Sequence, residues 1–124
     1  MLLARAIQMF VPGIPQVYYV GLLAGSNDLS FPQEEHRAIN RHNYLPEEIH
    51  AAAERPVVQH LLSLLRFRNT CPAFNGPLEI GDTPDHQLRL TRRSGEDIAV
   101  LDAEPGKRRF TITYTENSTW QPLM

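Results

Sequence analysis

The chain has 124 residues, of which 42% are hydrophobic and 21% charged, and its formal net charge at pH 7 is -2. These values are typical of a soluble globular protein with one domain or two small ones. The nearly balanced charge gives no support for a nucleic-acid or membrane partner. Cys71 is the single cysteine, which excludes an internal disulfide framework and favours a reducing, cytoplasmic compartment.

The first predicted element is a helix over residues 2–10. Apolar side chains recur there at helical spacing, and Pro12 prevents the helix from continuing. Arg5 and Gln8 interrupt the apolar residues, so the segment is too short and too polar for a signal peptide or a membrane span. Since no N-capping residue precedes this helix, we expect the chain to continue a longer protein.

An apolar stretch at residues 17–20 is the segment around which the first half of the chain is organised. Val17, Tyr18, Tyr19 and Val20 follow Pro15 without a polar residue between them, and Gly21 ends the run. A strand with one wet face would alternate between apolar and polar residues. The continuous run therefore predicts a strand covered on both faces, as in a parallel sheet wrapped by helices.

Two helices are predicted after a long polar stretch that reaches Tyr44. Pro46 stands at a first-turn position and is followed by Glu47 and Glu48, which predicts a short helix through Ala53. Residues 57–67 carry a broad apolar stripe and give the strongest helix prediction in the chain. His60 lies near that stripe and is interpreted as a satisfied or solvent-tipped helix histidine rather than as a ligand.

The hydrophobic period changes after Pro72. Four short runs, at residues 78–80, 87–92, 97–101 and 109–115, alternate with period two and are separated by turn sequences such as Ser94-Gly95 and Pro105-Gly106. The pattern predicts a small antiparallel meander. The predicted fold class is thus α/β followed by all-β.

The residues alone offer one candidate binding constellation, Asn40-Arg41-His42, in the long segment beyond the predicted strand. Ligands bind at the carboxyl ends of parallel strands, and an arginine there can grip hydroxyls or a carboxylate. The alternative is a surface arginine that ties down a loop. The five histidines have no metal-ligand spacing, and the glycines at residues 21–25 lack a phosphate-binding motif. No catalytic residue, metal site or cofactor is predicted.

Several short motifs together resemble one enzyme family. They read G-I-P-Q-V-Y-Y-V-G at residues 13–21, N-D at 27–28, I-N-R-H-N-Y at 39–44, R-P-V-V at 55–58 and F-R-N at 67–69. This combination resembles the sucrose phosphorylases, which belong to the alpha-amylase family (glycoside hydrolase family 13). The resemblance covers residues 1 to about 75, and the β part resembles that family's C-terminal domain in layout only.

The resemblance implies that residues 1–72 are the last βα portion of a (β/α)8 barrel and that residues 73–124 are a small antiparallel β domain. Enzymes of this kind transfer a glucosyl group to inorganic phosphate through a covalent glucosyl-enzyme, with an aspartate nucleophile and a glutamate acid/base. Those carboxylates are expected upstream of this segment. Arg41 matches the arginine that grips the glucose, with Asn40 and His42 beside it.

The implied partners are an α-glucoside and inorganic phosphate, bound by the full-length parent. Sucrose, sucrose 6-phosphate and glucosylglycerate all remain open as the substrate, because Ala38 and residues 30–36 differ from the family pattern. We expect the chain to be inactive by itself and to self-associate through exposed barrel surface. The alternative is a stand-alone, non-catalytic α/β plus β module that binds a protein or a carbohydrate.

Overall fold

The structure is a computed structural model that describes residues 1–26 and 42–123. The secondary-structure elements in chain order are α1 (Leu2–Phe10), α2 (Tyr19–Leu22), α3 (Pro46–Ala53), α4 (Pro56–Thr70), β1 (Leu78–Ile80), β2 (Leu88–Ser94), β3 (Asp97–Glu104), β4 (Arg109–Glu116) and β5 (Thr119–Pro122). Short 3-10 turns lie at Pro72–Asn75 and Pro105–Lys107. The predictions of α1, α3, α4 and the first four strands are confirmed, and α4 is longer than predicted.

The chain forms two compact units. One unit comprises Met1–Pro15 together with Leu64–Met124, and the other comprises Gln16–Ser63. The domain boundary predicted at residue 72 stays a prediction. A bilayer-crossing helix is absent from residues 1–26 and 42–123, where the longest helix, α4, has 15 residues.

The first unit is built on a five-stranded antiparallel meander with strand order β1-β2-β3-β4-β5. Two-residue turns join β2 to β3 and β4 to β5. Gly95 opens the first turn at φ +61°, and Asn117 and Ser118 both take positive φ in the second. Turns of this hand match the right-handed twist of the strands they join. Strand β5 was not predicted.

One face of this sheet carries the hydrophobic core of the first unit. Alternate residues of β2, β3 and β4 point to it, so that Leu90, Leu101 and Ile112 are fully or almost fully buried. Helix α1 contacts β2 and β3 on this side. Its buried residues are Ala6, Met9 and Phe10. The inward-facing residues of the strands and the apolar side of α1 therefore form one core.

A buried arginine ties the N-terminal segment to this core. Arg92 is only 5% exposed, and its guanidinium donates to the carbonyl oxygens of Phe74 at 2.7 Å and Phe10 at 3.4 Å. Phe10 ends α1, where carbonyl groups lack helical partners and the helix dipole favours a cation. Burial and the neighbouring Arg68 lower the pKa of Arg92. Arg68 in turn donates to the carbonyl of Gly13 at 3.1 Å.

The predicted strand at residues 17–20 is wrong for this chain. Residues 14–18 have no regular secondary structure, and α2 begins at Tyr19. Tyr18 is 51% exposed, although its backbone is extended with φ -67° and ψ 143°. The backbone at Tyr18 is thus compatible with a strand, but Tyr19 and Val20 are helical and no described residue pairs with the segment. A strand needs a neighbour to accept and donate its backbone hydrogen bonds.

Gly76 is required for the close approach between the 3-10 turn before β1 and strand β2. A Cβ atom at this position would overlap the main-chain carbonyl of Arg93. We expect Gly76→Ala to lower the free energy of unfolding by about 1–3 kcal/mol, because the backbone must shift to admit the methyl group. Urea denaturation of the purified chain measures this.

Gly106→Ala is the matched control. Nothing lies within 4 Å of a Cβ at Gly106, so this change should leave stability within about 1 kcal/mol or raise it slightly. Equal losses for both variants would show that contact with Arg93 is not the cause.

Candidate functional site

The candidate site is built from the described residues on both sides of segment 27–41. Asn40 and Arg41, the two predicted ligand residues with the most specific roles, lie outside the described residues. His42, the third predicted residue, is the first described residue after them. The site can therefore be described through His42 and the side chains in contact with it, all within the unit Gln16–Ser63.

Glu48 fixes His42 and the start of α3 together. One carboxylate oxygen accepts the backbone N–H of Leu45 at 2.8 Å, and the His42 Nε2 lies 3.3 and 3.4 Å from the two oxygens. Leu45 precedes the first helical residue, so this bond satisfies one of the unpaired donors at the helix N-terminus.

The same contacts set the charge state of Glu48. The hydrogen bond from Leu45 and, after it, that from His42 lower the pKa of the carboxyl group. Because the pKa is lowered, the stabilisation from these hydrogen bonds is fully present above the ordinary titration range of glutamate. It is lost as the pH falls through the lowered value.

Aromatic rings surround the other side of His42. The His42 and Tyr44 rings meet edge to face with centroids 4.4 Å apart, and the Tyr44 and Tyr19 centroids are 6.1 Å apart. The Tyr44 hydroxyl occupies the position that a Cβ atom at Gly25 would take. A side chain at residue 25 would displace the Tyr44 hydroxyl, which gives a reason for this glycine of the segment at residues 21–25.

Arg55 fixes the backbone on the other side of segment 27–41. Its Nη2 donates to the carbonyl oxygens of Leu23 at 2.8 Å and Ala24 at 2.6 Å. Ala24 takes a left-handed backbone conformation, with φ +49°. A guanidinium that bonds two successive carbonyls holds this unusual turn in place. The motif R-P-V-V pointed to Arg55 only through resemblance; its contacts could not be read from the sequence.

These side chains line an open cleft of about 410 Å³ whose lining residues are Leu23, Gly25, Ser26, His42, Tyr44, Glu48, Ala51, Ala52 and Arg55. An imidazole, a phenol and a hydroxyl can exchange hydrogen bonds with the hydroxyl groups of a ligand. Glu48 is the only acid among these lining residues. A double displacement at a sugar carbon requires two carboxylates, so the described part of this cleft does not supply that chemistry.

Other residues considered from the sequence do not join the site. His60 is exposed on α4, as interpreted. Cys71 is half-buried, and burial raises the pKa of its thiol, which disfavours the reactive thiolate. Over residues 1–26 and 42–123 there is no cluster of histidine, cysteine and acidic side chains that could hold a metal ion.

Curated relatives align with nearly the whole chain. A sucrose 6(F)-phosphate phosphorylase of Thermoanaerobacterium thermosaccharolyticum is 49% identical over 115 residues, which are 91% of this chain and 24% of that protein. A glucosylglycerol phosphorylase of Marinobacter adhaerens is 45% identical over 94% of this chain and 25% of its own length. A sucrose phosphorylase of Agrobacterium vitis is 47% identical over 90% of this chain and 23% of its own length.

The resemblance to the sucrose phosphorylases is confirmed. The crystal structure of a sucrose 6F-phosphate phosphorylase from Thermoanaerobacter thermosaccharolyticum superposes with a TM-score of 0.92 and 47% identity, over 98% of this chain and 25% of that protein. The helices followed by a five-stranded antiparallel sheet match the C-terminal domain of a sucrose phosphorylase. The chain spans about a quarter of the length of the phosphorylases it matches. A search against protein-family models gave no match.

Proposed function

We propose that this chain forms one part of a retaining phosphorylase that transfers a glucosyl group from sucrose or a related α-glucoside to inorganic phosphate. One observation carries the proposal: sequence identity of 43–49% extends over nine tenths or more of the chain to phosphorylases named for sucrose, sucrose 6-phosphate and glucosylglycerol. In this proposal residues 1–72 complete the catalytic barrel and residues 73–124 form the small β domain.

The proposed contribution of the chain to the active site is a grip on glucose by Arg41, assisted by Asn40 and His42. A guanidinium offers a planar fork of donors that can hold a carboxylate and sugar hydroxyls together. The described anchors support this role. Glu48 holds His42, the residue next to Arg41, and Arg55 holds the carbonyls of Leu23 and Ala24 before the segment.

The proposed reaction is a double displacement. An aspartate attacks the anomeric carbon while a glutamate protonates the leaving group, and inorganic phosphate then takes the glucosyl group. Both carboxylates would come from the rest of the barrel. The chain's own residues would hold and orient the glucose, which lowers the barrier by positioning.

An exchange enzyme tests this proposal. In it, residues 1–124 replace the matching quarter of the Thermoanaerobacterium thermosaccharolyticum sucrose 6(F)-phosphate phosphorylase. We expect this enzyme to release glucose 1-phosphate from sucrose 6-phosphate, sucrose, glucosylglycerate or glucosylglycerol in the presence of inorganic phosphate. A folded exchange enzyme that is inactive on all four would contradict the proposal and favour the stand-alone module.

The purified chain by itself serves as the negative control. We expect no release of glucose 1-phosphate from sucrose and phosphate above a blank without protein, because in this proposal the nucleophile and the acid/base come from the rest of the barrel. Turnover by the purified chain would place the catalytic carboxylates among its own residues.

A further inference from the structure

The outer face of the sheet, opposite the hydrophobic core, forms a groove of about 440 Å³ that the proposed function does not use. Every residue that lines it comes from the alternate positions of the strands that point away from α1. The groove reaches from Glu79 on β1 to Trp120 on β5. It therefore crosses all five strands, a distance of about 19 Å at the usual strand spacing.

Trp120 provides a stacking surface at one end of the groove. It is 53% exposed, although tryptophan has a large apolar ring that usually finds cover. It faces Thr115 on β4 across the last strand pair. An exposed indole at the end of such a groove is suited to the apolar face of a sugar ring, because it offers area with little loss of side-chain entropy.

Unpaired charges stand at the other end. Glu79 faces Thr91, and Arg93 lies two residues further along the same face of β2. Both are exposed, and within the described part of the chain neither has a hydrogen-bond or ion-pair partner. Thr91 and Thr113 add hydroxyl groups between them and Trp120. This face thus presents unsatisfied polar groups toward its Glu79 end, while Ile98 and Val100 of β3 give its middle an apolar surface.

The remaining charges of the groove are already paired. Arg89 and Asp102 form a two-point pair across β2 and β3, with N–O distances of 2.6 and 3.0 Å. The groove therefore contains two basic and two acidic side chains and has no net charge. A neutral ligand fits this balance, whereas a nucleic acid or an anionic lipid surface would require an excess of basic residues.

The size of the face also decides between classes of partner. At the spacing and rise of a β-sheet, the five strands cover roughly 500 Å². A stable protein partner buries about 800 Å² on each side, with an apolar centre. The face is too small for that, and its length suits a few linked sugar rings.

We infer that this outer face binds a neutral oligosaccharide, with one ring stacked on Trp120 and the chain extending toward Glu79 and Arg93. The choice of glucose as its unit rests on the proposed function. The site is separate from the cleft at His42. It would keep a polymeric or oligomeric sugar near the protein without chemical change.

The single tryptophan of the chain makes the test direct. Trp120 is the only tryptophan, so intrinsic fluorescence reports on this site alone. Titration of the full chain with maltotetraose and with cellotetraose should give a saturable change for at least one of them, in the millimolar range. No saturable change with either sugar would overturn the inference.

Three variants and one control test whether the sugar binds to this face. Trp120→Ala should weaken binding, measured by saturation-transfer NMR on the sugar, by at least about tenfold. Arg93→Ala and Glu79→Gln should each weaken it severalfold. Ile80→Ala is the matched control, because Ile80 is 71% exposed next to Glu79 but points to the opposite face. Melting curves should show that all four variants are folded. Unchanged binding in Trp120→Ala, or an equal loss in Ile80→Ala, would overturn the assignment.

Discussion

Replacing Arg41 with lysine in the exchange enzyme is expected to lower kcat/KM for phosphorolysis by about 1.5 to 3.5 orders of magnitude, while the enzyme stays folded. Lysine keeps the charge but presents a compact ammonium group, which cannot hold a carboxylate and two sugar hydroxyls in one plane. Loss of one partner in a desolvated, hydrogen-bonded charge pair costs about 2–5 kcal/mol, which at 1.4 kcal/mol per tenfold gives this range. Initial rates of glucose 1-phosphate release measure it.

Arg37→Lys is the matched control, because it is the same substitution four residues earlier on the same segment. Arg37 is not one of the proposed glucose-binding residues, so its replacement should change kcat/KM by less than about threefold. If Arg37→Lys is the damaging change and Arg41→Lys is silent, the assignment of the glucose site is wrong.

The second large effect is expected at Phe74 in the core of the first unit. Phe74 is 5% exposed, and its ring meets those of Phe10 and Phe67 edge to face at 5.2 and 5.3 Å. The guanidinium carbons of Arg68 and Arg92 lie 4.6 and 5.8 Å from the same ring. Phe74→Ala removes both the aromatic contacts and the ring against which these two guanidinium groups lie. We expect it to lower the free energy of unfolding by about 3–5 kcal/mol.

Urea denaturation followed by Trp120 fluorescence measures this loss, since Trp120 lies in the same unit as Phe74. Ile80→Ala is again the control, because Ile80 is 71% exposed. Its effect should stay within about 0.5 kcal/mol. A loss below about 1 kcal/mol for Phe74→Ala would mean that the core collapses around the missing ring.

The regular elements could be predicted where local pattern and tertiary contacts agree. Helix α1 and strands β2 to β4 carry the period of the face that they bury, so their positions follow from the sequence. Strand β5 was missed because Trp120 and its neighbours are exposed and carry no apolar alternation. The sequence signal for β5 is Asn117-Ser118, which forms a two-residue hairpin turn with positive φ at both positions.

The strand predicted at residues 17–20 was wrong for a different reason. Its composition fits a buried strand, but a strand depends on a neighbour that contributes hydrogen bonds, and pattern alone cannot supply one. The candidate site shows the same limit. His42 was predicted from its place beside Arg41, whereas the contacts of Glu48 with His42 and of Arg55 with Leu23 depend on how the chain folds back in space.

The most direct measurement is a crystal structure of the exchange enzyme with glucose bound. We expect the guanidinium of Arg41 to lie within about 2.7–3.2 Å of a sugar hydroxyl, with His42 still held by Glu48. An Arg41 side chain that points into solvent, with glucose gripped by other residues, would contradict this expectation.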